Sequence, residues 1–133
     1  MKNKRKIAIV TGGAGFIGSH MVDLLLSKKI KVIVVDNISG GHTKNIKNHF
    51  KNPNFKLQKI DICKLKPDTK IFKNVDYVFH FAGIGDIVPS IEKPDNYIMT
   101  NVQGTIKVLE AARKAKVKKF VYAASASCYG ITK

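Results

Sequence analysis

At 133 residues, 44% hydrophobic and 25% charged, the chain has the size and balance of one domain able to bury a moderate core. No apolar run approaches the roughly 18 residues that a membrane span requires, and the basic start over residues 1–6 leads into an apolar run that glycines break at once, which argues against a signal peptide. The net charge of +15 raises nucleic acid as a partner, but the lysines are scattered, the arginines are only Arg5 and Arg113, and no aromatic residues interleave with a basic stripe.

The first predicted element is a buried strand over 6–11, followed by Gly12, Gly15 and Gly18 at i, i+3 and i+6 and then by an apolar-faced helix over 16–27. Glycines at this spacing let the strand turn tightly, let backbone approach a pyrophosphate, and let the new helix pack on its strand. The unpaired N–H groups of the helix start then face the phosphates. A second strand over 31–36 ends in Asp36, eighteen residues after Gly18, near the roughly 20-residue spacing at which a carboxylate meets ribose hydroxyls. The loop therefore reads as a dinucleotide phosphate cradle.

Further strands are expected over 55–61, 77–82 and 119–124, with helices over 43–50, 67–73 and 95–116. In the last helix Val102, Ile106, Leu109 and Ala112 approximate an apolar stripe, and Gly104 marks close packing or cofactor contact. The alternation implies a doubly wound parallel sheet of Rossmann type in the order 3-2-1-4-5, with a ligand crevice at the carboxyl ends of strands one and four. Cys63 and Cys128 show no CxxC spacing, so both read as buried thiols in a reduced, cytoplasmic setting. His80 reads as a packed histidine beside a strand end, and His20, His42 and His49 as ordinary helix or surface residues.

In chain order, TGGAGFIGSH, VVDN with Asp36 and Asn37, DI at Asp61 and Ile62, HFAG over 80–83, NVQGT over 101–105 and SASCYG over 125–130 together resemble the extended short-chain dehydrogenase/reductases. Within them the chain is most similar to the NAD-dependent nucleotide-sugar epimerases and dehydratases of the UDP-glucose 4-epimerase type. The resemblance implies NAD as cofactor, a UDP-sugar as substrate and, for full-length relatives, a homodimer. It implies that Phe16 and Ile17 offer backbone N–H groups to the pyrophosphate, that Asp36 and Asn37 hold the adenosine ribose, and that Asp61 and Ile62 line the adenine. Phe81, Ala82 and Gly83 would lie under the cofactor, with Thr100 a further contact and Asn101 its near competitor. Ser125 would be catalytic, hydrogen-bonding the reacting sugar hydroxyl.

Family members carry a Tyr-x-x-x-Lys pair on a helix after that serine, with tyrosine as the acid/base. Tyr129 and Lys133 stand four apart, but Gly130 follows the tyrosine and Lys133 is the last residue, so no stable helix holds both. The expectation is an incomplete NAD-binding domain over 1–133, truncated after strand five and inactive alone, with that strand as an uncovered edge. The alternatives are a noncatalytic NAD-binding module and a nonfunctional product.

Overall fold

Five short runs, β-branched in the first two and aromatic or aliphatic at alternate positions in the others, pair as one parallel sheet: Ile7–Thr11 (β1), Lys31–Asp36 (β2), Phe55–Lys59 (β3), Tyr77–His80 (β4) and Lys119–Tyr122 (β5). Their order is β3-β2-β1-β4-β5, as the βα alternation predicts. The chain winds outward from β1 to β3 and then crosses back to β4, which opens a crevice at the carboxyl ends of β1 and β4. This structure is a computed structural model, and it describes residues 5–125, 129 and 130. Cys128 and Lys133 lie outside the described residues.

Alternate residues of each strand feed two cores. On one face Ala8, Val10, Val32 and Val34 meet Val22 and Leu25 of the helix Phe16–Ser27 (α1), together with the fully buried Ile46. On the other, Ile9, Val35 and Val78 meet Phe72, Val108, Ala111 and Ala112. Two faces each covered by side chains are what a parallel sheet requires.

The connections depart from the sequence reading. Residues 43–50 form two 3₁₀ turns, Thr43–Asn45 and Lys47–His49, rather than a helix. Ile46 is the single deeply buried anchor there, and Thr, Asn and His have modest helix propensity. Residues 67–73 likewise reduce to one 3₁₀ turn, Lys70–Phe72. A short helix, Ile87–Glu92 (α2), was not expected, because its Ile87, Val88 and Ile91 show no core-facing pattern and are exposed.

The long helix over 95–116 comprises Pro94–Tyr97 (α3), a π-helical stretch Ile98–Gly104 and Thr105–Lys114 (α4). Its core face is Gly104, Val108, Ala111 and Ala112, whereas Val102, Ile106 and Leu109 of the expected stripe are exposed. Close packing decides this: a Cβ on Gly104 would lie 2.6 Å from Ile62 Cδ1, so the small residues face inward and the larger ones outward. Cys63, expected to be buried, is partly exposed, with its thiol donating to the Met99 carbonyl at 3.2 Å. Among the described residues no helix is long and apolar enough to cross a membrane.

A buried polar seam joins β1, β4 and α4. The Thr105 hydroxyl donates to the Asn101 carbonyl at 2.7 Å, so its oxygen accepts from His80 Nε2 at 2.9 Å. Nδ1 of His80 then accepts from the Thr11 hydroxyl at 2.6 Å, and Thr11 Oγ1 accepts the Ala82 N–H at 3.3 Å. One ring proton satisfies every partner, so the seam requires neutral His80. The ring is 1% exposed and packs on Phe120 and Tyr122.

Burial lowers the His80 pKa from 6.5 to about 4. Because the unfolded chain then binds the extra proton between these values, the stability contribution is complete above pH 6.5 and is lost as pH falls through 4. Urea unfolding is expected to show a loss of about 2 kcal/mol between pH 7.5 and 5.0 that His80→Gln removes. An NMR titration should show the His80 ring still neutral at pH 5. Protonation of the folded ring near pH 6.5 would contradict the seam.

Candidate functional site

The carboxyl end of β1 enters the glycine loop through Gly12, whose φ of +67° is a left-handed conformation that only glycine adopts without strain. A Cβ there would lie 2.6 Å from the Ala82 nitrogen, and one on Gly18 would lie 2.1 Å from the Gly12 carbonyl oxygen. These glycines are required by the fold itself. Gly15 differs: its Cβ would meet only the Gly12 oxygen, at 3.2 Å, and the residue lines the open cleft.

α1 begins after Gly15 with no side-chain cap, and its first ladder bond runs from the Ser19 N–H to the Gly15 carbonyl. The N–H groups of Phe16, Ile17 and Gly18 precede that bond and form the positive end of the helix dipole. The Phe16 and Ile17 side chains are exposed, so it is their backbone that the loop presents.

Asp36, 7% exposed at the end of β2, sits beside this helix start. Its Oδ2 accepts the Ala14 N–H at 2.9 Å and its Oδ1 accepts the Ile38 N–H at 2.7 Å. Each oxygen retains a lone pair for a further donor. The carboxylate thereby braces the glycine loop while marking one wall of the cleft. The Ile38 bond also holds that residue at φ +62°, unusual for a β-branched side chain. Asn37 turns its carbonyl oxygen onto Ser39, accepting from both its N–H and its hydroxyl.

Gly40 and Gly41, which the sequence reading passed over, complete this wall. His42 N–H and Asn45 Nδ2 both donate to the Ala14 carbonyl, and a Cβ on Gly41 would lie 2.8 Å from the Ala14 carbonyl carbon. The Ser-Gly-Gly run directly after the acidic strand end was the available signal.

The remaining walls come from β3 and β4. Ile60 and Ile62 line the cleft, whereas Asp61 caps a 3₁₀ turn by accepting the Cys63 N–H and is not part of the lining. Phe81, Ala82, Gly83 and Thr100 line it, together with Ile84, Gly85 and Asp86. The Asn101 side chain grips the loop instead: its Oδ1 accepts the Ile84 N–H at 2.8 Å and its Nδ2 donates to the Ile84 carbonyl at 2.9 Å. The structure thus gathers Gly12, Gly15, Asp36, Asn37, Ile62, Phe81, Ala82, Gly83 and Thr100 around one cleft. Phe16, Ile17 and Gly18 stand at its helix end.

Ser125 lies in an adjoining cleft with Asn101, Tyr122, Ala123 and Ala124, and residues 81–85 form the wall common to both. Tyr129 is 82% exposed and lines neither cleft. The charged side chains lining the first cleft are Asp36 and Asp86, with no basic residue among the described lining.

Residues 8–133 match the model of the NAD dependent epimerase/dehydratase family. The chain is 40% identical over 129 residues to the bifunctional protein GAL10 of Kluyveromyces lactis, covering 94% of this chain and 19% of that one. It is 38% identical over 129 residues to UDP-glucuronic acid decarboxylase 4 of Arabidopsis thaliana, covering 96% and 28%. Among solved structures, a UDP-glucose-4-epimerase of Stenotrophomonas maltophila with bound NAD and formylated UDP-arabinopyranose superposes with a TM-score of 0.87 at 27% identity, covering 97% of this chain and 40% of that one. The chain therefore spans well under half the length of these relatives. With a matching family model over almost all of its residues, the chain belongs to the NAD dependent epimerase/dehydratase family.

Proposed function

We propose that the chain binds NAD in the glycine-loop cleft and serves as the cofactor-holding part of a nucleotide-sugar epimerase or dehydratase, with a UDP-sugar 4-epimerase as the specific reading. The observation that carries this is the uncapped start of α1, beside the braced Asp36 and the open face of Gly15. The residues fit the cofactor: the N–H groups of Phe16, Ile17 and Gly18 receive the pyrophosphate, and Asp36 and Asn37 receive the adenosine ribose. Ile60 and Ile62 offer an apolar face to the adenine. Phe81, Ala82, Gly83 and Thr100 line the nicotinamide end.

Bound NAD supplies a hydride acceptor for the sugar ring and returns the hydride. Ser125, in the adjoining cleft, is the candidate to hydrogen-bond the reacting sugar hydroxyl. Tyr129 is not placed to act as the acid/base, so the 133-residue chain binds NAD without turning over sugar. Relatives of this segment include both an epimerase and a decarboxylase by name, which supports a role in holding the cofactor rather than in choosing the sugar's fate. The exposed row Ile98, Val102, Ile106 and Leu109 supports self-association of a longer protein. A noncatalytic NAD-binding module is the second reading; Ser125 on a cleft that shares a wall with the cofactor site favours the first.

Gly15→Val tests the cradle. Its Cβ would meet the Gly12 carbonyl oxygen at 3.2 Å, so the loop must give by a few tenths of an ångström, and its methyl groups would enter the cleft. NAD affinity by calorimetry is expected to fall at least about tenfold, with folding checked by circular dichroism. Gly18→Ala, by contrast, is expected to destabilise the chain by about 3 kcal/mol in urea unfolding, because its Cβ has no room. Unchanged NAD affinity in folded Gly15→Val would overturn the reading.

The Asp36 carboxylate repels a 2′-phosphate, and the described lining of the cleft offers no cation to offset it. NAD is therefore expected to bind at least about tenfold more tightly than NADP. Equal affinities would refute this. With NAD and UDP-sugars, the chain is expected to show no sugar interconversion by NMR; turnover abolished by Tyr129→Phe would reverse that expectation.

A further inference from the structure

The 83–86 loop walls the cofactor cleft, its Gly83, Ile84 and Gly85 also line the Ser125 cleft, and its two glycines give it little rigidity of its own. Its shape is imposed from outside. Asn101 holds both backbone groups of Ile84, and the Tyr97 hydroxyl donates to the Asp86 carbonyl at 2.7 Å. Asn101 in turn lies in the π-helical stretch, where its carbonyl accepts the Thr105 hydroxyl at 2.7 Å. That hydroxyl is oriented by His80 Nε2, and His80 is fixed at its other nitrogen by Thr11. A continuous line of hydrogen bonds thus runs from the end of β1, through a buried ring in β4, to the loop over the cleft.

We propose that His80 is a positioning residue for the cofactor cleft: its neutral ring, acting through Thr105 and Asn101, holds the 83–86 loop in the shape that receives the nicotinamide half of the cofactor. The consequence for binding rests on the cofactor reading above. Four side chains surround the ring: Thr11 from β1, Thr105 from α4, and Phe120 and Tyr122 from β5. Of these only Tyr122 is titratable, so no neighbouring carboxylate among them favours a charged ring. The adenosine contact of Asp36 is braced separately, by the Ala14 and Ile38 N–H groups, and does not depend on this line. Loss of the line therefore acts on one half of the cofactor.

Thr105→Val replaces the hydroxyl by a methyl of the same shape and cuts both of its bonds. His80→Phe keeps the aromatic packing and removes both ring nitrogens. Amide hydrogen exchange at Ile84 is expected to accelerate at least about tenfold in each variant and no further in the double variant, since both cut one line. Calorimetry is expected to show NAD binding weakened about tenfold in Thr105→Val with AMP binding unchanged within about twofold, and Thr105→Ser is expected to restore both readouts. Unchanged Ile84 exchange, additive effects in the double variant, or equal weakening of NAD and AMP would overturn the proposal. If the unaltered chain bound neither nucleotide, the cofactor reading would fail, while Ile84 exchange would still decide whether His80 holds the loop.

Discussion

The contact between the backbone of Gly12 and the start of α1 at Gly18 governs the rest of this structure. With a side-chain carbon excluded at 2.1 Å from the Gly12 oxygen, the helix can begin directly above the end of β1. That closeness aims the first-turn N–H groups across the crevice between β1 and β4. A helix displaced by even one methyl group would carry its dipole away from the cleft and pull Val22 and Leu25 out of the core beneath it. The turn is thus one backbone arrangement that serves packing and ligand recognition together.

Polar groups stabilise that arrangement from both sides. Asp36 ties the glycine loop to the chain leaving β2, and His80 ties β1 to β4 and the long helical segment. Both are nearly inaccessible and hydrogen-bonded at each polar side-chain atom, and no buried side-chain polar atom among the described residues lacks a partner. Satisfied buried networks specify one arrangement, because any alternative leaves a donor or acceptor unpaired in a medium where that is costly. The same holds at the 83–86 wall of the cleft, where Asn101 engages both backbone groups of Ile84.

Much of this was legible in the sequence because local chemistry determines it. Three spaced glycines between an apolar strand and an apolar-faced helix leave few other backbone solutions, and Asp36 at the next strand end follows from the βαβ geometry. The sheet order follows from the alternation of elements. What escaped depends on contacts distant in sequence. Asn101 bonds to Ile84 across seventeen residues, and His80 to Thr11 across 69. Nothing in their immediate neighbours marks either role. The inward face of α4 was read from spacing alone and is correct only at Ala112 and at the close packing of Gly104, whose approach to Ile62 turns Val108, Ala111 and Ala112 inward and leaves Val102, Ile106 and Leu109 exposed. The capping bond from the Cys63 N–H to one oxygen of Asp61 was likewise not read from the sequence.

The cleft carries two carboxylates and no basic side chain among its described lining, in a chain with 24 basic and nine acidic residues. Under the proposed cofactor reading, recognition of a pyrophosphate there falls to backbone N–H groups and the helix dipole, whose reach ends within a turn. The scattered lysines act at longer range: they surround the molecule with a positive potential that draws anions from within a Debye length, a distance that grows to about 30 Å at 0.01 M salt. Capture and retention are consequently divided between different groups. Added salt slows the encounter by screening the lysines, while the residence time, set by short-range contacts inside the cleft, changes little.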